Sequence, residues 1–231
     1  MAKVIKLGIL AVFLGLAAGC QENVADNEGA RILSVGDSLM AWNAFSGNSI
    51  PQVIEQHLGE NVVDRSFSGA RMLIGRASED SSGNLSIPQQ YVGGDWDWVV
   101  VNGGGNDLMF GCGCVACEGT LNRLISPDGS SGAIPDLVRK MRAGGARVLW
   151  FGYLRSPNLL TPIEHCKDEG DELDARLARL ARRQDGLIFV PMSDVVPPGG
   201  LSYFSADLIH PSRKTSRLVG QRLAEVIAKL E

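Results

Sequence analysis

The chain has 231 residues, 45% hydrophobic and 21% charged, with 28 glycines and 10 prolines, which excludes disorder, collagen-like repeats and coiled coil and fits one α/β domain with a buried core. A formal charge of −4 leaves no basic field to neutralise a phosphate backbone, so nucleic acid is excluded as a partner. The five cysteines are an odd number, which requires an explanation in any oxidising compartment.

The N-terminus supplies that explanation. Lys3 and Lys6 precede an apolar run from Leu7, and Leu7 to Gly19 counts 13 apolar or small residues. A membrane-spanning helix needs about 20, so the segment reads as an export signal. Its ending, Leu16-Ala17-Ala18-Gly19-Cys20, resembles the lipobox of bacterial lipoproteins, in which cleavage precedes a cysteine that is then lipidated. Ordinary cleavage nearby would instead leave Cys20 as a free thiol. Residues 1–19 are thus expected to be a signal peptide, 20–30 a flexible tether and 31–231 the folded domain. Gln21 stands where an aspartate would resemble an inner-membrane retention signal, so the expectation is an outer-membrane lipoprotein facing the periplasm. Without Lys3 and Lys6, 20 basic residues face 26 acidic ones, and the mature charge is −6. Such a body is held at a membrane by its anchor rather than by adsorption to anionic headgroups.

Beyond the tether, short apolar runs alternate with helical segments. The predicted strands are Arg31–Val35, Asn61–Asp64, Trp98–Val101, Arg147–Phe151 and Leu187–Val190, mostly continuous apolar runs as parallel strands covered on both faces require. Between Arg71 and Asp97 lies the longest irregular stretch, with a turn of helix expected at Ile87–Tyr91. Asp171–Arg183 places Leu173, Leu177 and Leu180 on one helical face, with acids early and arginines late. Ser212–Leu230 places Leu218, Leu223, Val226, Ile227 and Leu230 on another stripe. Five strands alternating with helices predict a three-layer α/β/α sandwich with a five-stranded, mostly parallel sheet.

The first strand runs into Gly36-Asp37-Ser38-Leu39, and a serine there lies where open α/β sheets place their ligand crevice. Asp or Ser at such a turn also serves as a helix N-cap. Asp207 and His210 stand three apart before the last helix, a spacing at which a carboxylate can accept the Nδ1 proton and leave Nε2 for a serine. His57 and His165 are read as background rather than as catalytic residues. Ser68-Gly69-Ala70 follows the second strand and Asn102-Gly103-Gly104-Gly105-Asn106-Asp107 the third. A Gly69 N–H and the Asn106 amide are candidate donors to a developing oxyanion. The same glycines would otherwise serve only tight turns, and Asn106 would cap a helix.

With these four blocks in this order, the chain resembles the SGNH hydrolases, the GDSL esterase and lipase superfamily, over essentially all of the sequence after the tether. The resemblance implies a flavodoxin-like fold with strand order 2-1-3-4-5. It implies Ser38 as nucleophile, His210 as general base and then acid, and Asp207 as its orienting partner. It also implies an oxyanion hole from the Ser38 N–H, the Gly69 N–H and the Asn106 side chain. The implied reaction is two-step acyl transfer on a small acyl-ester substrate, with no metal or organic cofactor required. Gly-x-Ser-x-Gly, Walker A and Gly-x-Gly-x-x-Gly motifs are lacking, which argues against lipase-type α/β-hydrolases, P-loop enzymes and dinucleotide enzymes.

With Cys20 assigned to lipid, Cys112, Cys114, Cys117 and Cys166 remain, an even set. An exported protein is expected to hold them as two disulfides rather than as a Cys₄ zinc site or free thiols. Cysteines separated by one residue rarely bridge, so Cys166 is expected to join Cys112 or Cys114, pinning the loop beyond Asn106. Met40, Trp42, Phe45, Met109 and Phe110 are candidates for an apolar acyl pocket, with packing on helix faces as the competing role. Three readings follow: an esterase, lysophospholipase or thioesterase; a carbohydrate or cell-wall acetyl esterase; and a non-catalytic ligand-binding envelope lipoprotein. The last has no need of the Ser38, Asp207 and His210 set.

Overall fold

Five short apolar runs become strands in the computed structural model, which describes residues 29–74 and 83–231. The signal-peptide reading and Cys20 fall on residues 1–28, and Ser81 and Ser82 of the long loop fall on 75–82, outside the described residues. The strands are β1 (Ile32–Val35), β2 (Val62–Asp64), β3 (Trp98–Val101), β4 (Arg147–Phe151) and β5 (Leu187–Val190), within a residue of expectation. They pair in parallel in the order β2-β1-β3-β4-β5, with Ile32 opposite Trp98 and Val35 opposite Val101. This is the expected strand order, and it leaves the crevice between the carboxyl ends of β1 and β3, where the chain reverses its direction of travel across the sheet.

Alternation along the strands divides the core in two. Leu33, Val35, Val99, Val101, Val148 and Trp150 face a cluster built by α3 (Ile87–Gln90), α5 (Glu118–Leu124), α6 (Ala133–Ala143) and α7 (Lys167–Ala181). Ile32, Trp98, Val100, Leu149 and Phe151 face the opposite layer, made by α1 (Ser38–Ala41), α2 (Ile50–Leu58) and α8 (Arg213–Lys229). Short α4 (Gly105–Asp107) continues into a π-helical turn at Leu108–Cys112. Local chemistry sets the ends. On α2, Ser49 and Gln52 form a reciprocal capping box, and Gly59 closes the helix at φ +71°. Asp168 and Glu169 occupy the first turn of α7, which starts four residues before the expected Asp171, and Leu173, Leu177 and Leu180 are buried as expected.

Helix α8 exists where predicted, but its inward face is rotated from the Leu218 and Leu230 stripe. Both leucines are exposed, and Thr215, Ser216, Val219, Gly220, Leu223, Ala224 and Ile227 are buried. Close approach to α2 is the reason: a Cβ on Gly220 would lie 2.6 Å from the Val53 Cβ, so small residues rather than leucines line the contact. In an open helix Gly→Ala gains about 1 kcal/mol. Here the methyl has no room, and Gly220→Ala should instead lower unfolding free energy by about 1–3 kcal/mol in urea titrations.

Candidate active site

The turn after β1 is fixed before any side chain reaches solvent. Gly36 has no room for a Cβ, which would lie 2.0 Å from the Asn102 Oδ1. The Gln90 amide brackets Gly36, accepting from its N–H at 2.7 Å and donating to its carbonyl at 3.0 Å. Asp37 is the N-cap of α1 and accepts from the Leu39 N–H at 2.9 Å. Its carboxylate also accepts from the Asn102 Nδ2 at 2.9 Å and from the Tyr153 hydroxyl at 2.5 Å. Capping therefore falls to Asp37, and Ser38 begins the helix with its side chain on the cleft.

Burial pushes the Asp37 carboxyl above its ordinary value, opposed by the bonds from Tyr153, Asn102 and the Leu39 N–H. Burial, and the neighbouring Asp37 carboxyl, push the Tyr153 phenol well above its ordinary value. Tyr153 also receives the Gly105 N–H, and a Cβ on Gly105 would lie 2.6 Å from its ring. One phenol thus joins the turn that carries Ser38 to the segment that carries Asn106.

Asn106 donates through Nδ2 to the Ala70 carbonyl at 3.0 Å, with its second amide hydrogen left over. Its neighbour Asp107 is buried and accepts from the N–H groups of Met72 and Leu73 at 2.9 and 2.8 Å, which anchors the loop beyond Gly69. Gly69 adopts φ +86° with nothing nearer than a Leu85 methyl at 3.9 Å, so backbone angle rather than space calls for glycine there.

His210 and Asp207 meet as their spacing predicts, with Nδ1 and the Asp207 Oδ2 2.6 Å apart. The other oxygen of Asp207 accepts the Ile209 and His210 N–H groups, each at 3.0 Å. Burial pushes the Asp207 carboxyl up, but the bonds from the His210 ring and the two N–H groups outweigh it and hold it below its ordinary value. With Nδ1 committed to the carboxylate, Nε2 is the nitrogen free to take a proton.

Ser38, Asn106 and His210 line one cavity of about 110 Å³, with apolar walls from Leu108, Met109, Leu154 and Ile163. Asp207 stands behind His210, and Gly69 lies on an exposed loop outside that lining. Of the candidate pocket residues, Met109 lines the cavity, but Met40 is buried in the core behind α1, because its side chain points to the opposite face from Ser38. Phe45 and Phe110 are exposed, the latter under the Arg71 guanidinium at 5.5 Å, and Trp42 lies flat on the His210 ring. His57 and His165 are exposed residues outside the lining.

The four cysteines form two disulfides, Cys112–Cys117 and Cys114–Cys166. The second resolves the expected choice in favour of Cys114 and ties the segment beyond Asn106 to the start of α7, where Cys166 lines the cavity.

A model of the GDSL-like lipase/acylhydrolase family matches residues 34–218. The chain belongs to that family. Membership makes it an ester-hydrolysing enzyme. No curated protein sequence matches the chain. Among solved structures, a protein of Slackia heliotrinireducens assigned to the SGNH hydrolases is 22% identical, with a TM-score of 0.58 over 86% of this chain and 98% of that one. The psychrotrophic esterase EstA of a Pseudoalteromonas species is 18% identical, with a TM-score of 0.56 over 86% of this chain and 97% of that one. Est24, a carbohydrate acetylesterase from Sinorhizobium meliloti, is 16% identical, with a TM-score of 0.57 over 87% of this chain and all (100%) of that one. At these identities the likeness shows the SGNH hydrolase fold.

Sequence reasoning placed Ser38, Asn106, Asp207 and His210 but missed Gln90, Asn102 and Tyr153. Their signal was position alone: Asn102 directly follows β3, and Tyr153 stands two residues beyond β4, at the crevice end of the sheet. Tyr153→Phe keeps the ring and leaves a buried oxygen of Asp37 without its donor, and it should lower unfolding free energy by about 1–3 kcal/mol in denaturant titrations.

Proposed function

We propose that this GDSL-family enzyme is a serine hydrolase that cleaves carboxylic esters through an acyl-enzyme on Ser38. The observation that carries the reading is the single cavity lined by Ser38, Asn106 and His210, with Asp207 bonded to the far nitrogen of the imidazole. His210 Nε2 takes the proton of the Ser38 hydroxyl as its oxygen attacks the ester carbonyl. The oxyanion is received by the Ser38 N–H, the Gly69 N–H and the Asn106 amide hydrogen not used by Ala70. His210 then passes its proton to the leaving alcohol, and water repeats the sequence on the acyl-enzyme.

Apolar walls from Leu108, Met109, Leu154 and Ile163 favour simple acyl esters, lysophospholipids or thioesters as substrates. A second reading, carbohydrate or cell-wall acetyl ester hydrolysis, draws on the small cavity and on the likeness to Est24. p-Nitrophenyl esters from acetate to octanoate separate them. Hydrolysis by the 31–231 domain should fall to background in Ser38→Ala, and Asn106→Ala should lose about 10²–10³ in kcat. A rate that peaks beyond acetate supports the first reading. A peak at acetate with release of acetate from an acetylated glycan supports the second. Wild type no faster than Ser38→Ala on every ester would overturn both.

The same proposal includes lipid attachment at Cys20 and placement in the cell envelope, on an outer membrane facing the periplasm. Its support is the segment Leu7 to Cys20 and the even set of cysteines left for bridging. Cells expressing the full chain and fed labelled palmitate should label the wild type and not Cys20→Ser; equal label in both would overturn the anchor.

A further inference from the structure

The indole of Trp42 lies on the imidazole of His210 with ring centroids 3.8 Å apart and planes 9° from parallel. Nothing in the triad arrangement requires this contact, and it joins parts of the chain 168 residues apart. Trp42 sits four residues after Ser38, and its N–H closes the single turn of α1 on the Ser38 carbonyl at 2.9 Å. Nucleophile and indole therefore occupy the same face of one rigid turn.

The indole is held in turn. Its Nε1–H donates to the Ser205 Oγ at 2.9 Å, and that hydroxyl donates to the Pro211 carbonyl at 2.9 Å. Asn43 donates to the same carbonyl at 3.1 Å and to the Ser216 Oγ at 2.9 Å. The Ser205 N–H closes the loop on the His210 carbonyl at 2.8 Å. Trp42 and Asn43 thus grip both ends of the 205–211 loop, which carries Asp207 and His210.

From this geometry we infer that Trp42 is a positioning residue for His210, setting the plane of the imidazole relative to Ser38, an inference that rests on the proposed role of His210 as base. Asp207 holds the ring at its edge and Trp42 holds it at its face, which together leave one pose. Carrying the nucleophile and that plate on one turn of helix makes their separation independent of movement in the loops between them. The indole face also favours the imidazolium formed when Ser38 loses its proton.

The experiment pairs kinetics with emission. Trp42→Ala should lower kcat on a p-nitrophenyl ester about ten- to a hundredfold with KM within about threefold, since misplacing a reacting group acts on the chemical step. Trp42→Phe, which keeps a ring on the imidazole, should recover most of the loss. Trp42 is the half-exposed tryptophan of four, Trp96, Trp98 and Trp150 being buried. At one fixed pH, His210→Asn should change the wild-type emission, because it removes the ring stacked on the indole, and it should change nothing in a Trp42→Phe background. Unchanged kcat in Trp42→Ala, or emission that His210→Asn leaves unchanged, would overturn the inference. Emission reads the stack without turnover, so it remains decisive if no ester is hydrolysed, and Ser38-dependent hydrolysis without the stack would remove this inference alone.

Discussion

A buried carboxylate holds the site together. Asp37 reaches three neighbours, the Leu39 N–H of its own helix, Asn102 at the end of β3 and Tyr153 just beyond β4. The last two tie the turn that presents Ser38 to two different parts of the sheet's crevice end. Burying a carboxyl is costly unless its oxygens are bonded, and here two of the three donors sit just beyond strands that must align for a cleft to exist. Tertiary assembly and nucleophile placement are therefore one event. A chain in which β3 or β4 has slipped also leaves Asp37 buried without partners, which weighs against misregistered sheets.

The glycines around this carboxylate are explained by crowding more than by flexibility. Gly36 and Gly105 lie where a Cβ would strike the Asn102 amide and the Tyr153 ring. Only Gly69 and Gly104, among the blocks that carry the site, need their positive φ. Close approach is how a small domain brings loops from separate strands to a cavity of about 110 Å³. The Cys114–Cys166 bond extends the same logic to the far wall, which has no strand of its own to fix it. A cross-link there acts mainly on the unfolded chain and keeps the segment beyond Asn106 against α7.

Much of this was legible in the sequence, and the illegible part has a common cause. The strands announced themselves as apolar runs, and Asp207 and His210 were readable because their partnership is local, within one turn. Asn102, Gln90 and Tyr153 matter through contacts with Asp37 and Gly36 from distant parts of the chain, and no periodicity or spacing reports such contacts. The face of α8 was misread for a related reason. Leu218 and Leu230 follow helical spacing, but the neighbouring helix approaches at Gly220, and a sequence does not say on which side its partner lies. Trp42 was visible as an apolar residue near the nucleophile, but its partner was not.

The identity of residue 37 shows how closely the fold and the site are coupled. Asparagine or serine would cap α1 about as well as aspartate, and neither brings a charge to bury. What they lack is acceptor capacity. Three donors converge on residue 37, and Tyr153 cannot easily reverse its role, because its hydroxyl also receives the Gly105 N–H. Asn102 cannot reverse either, since its Oδ1 accepts the Asp37 N–H at 3.3 Å and its Nδ2 must then face the side chain. An asparagine at 37 would set its own NH₂ against one of these donors, and a serine would be too short to meet both strands. An ionised carboxylate is acceptor-only, with room for all three. The desolvation that raises its pKa is the cost of joining three chain segments at one point, and the position of Ser38 depends on that joint.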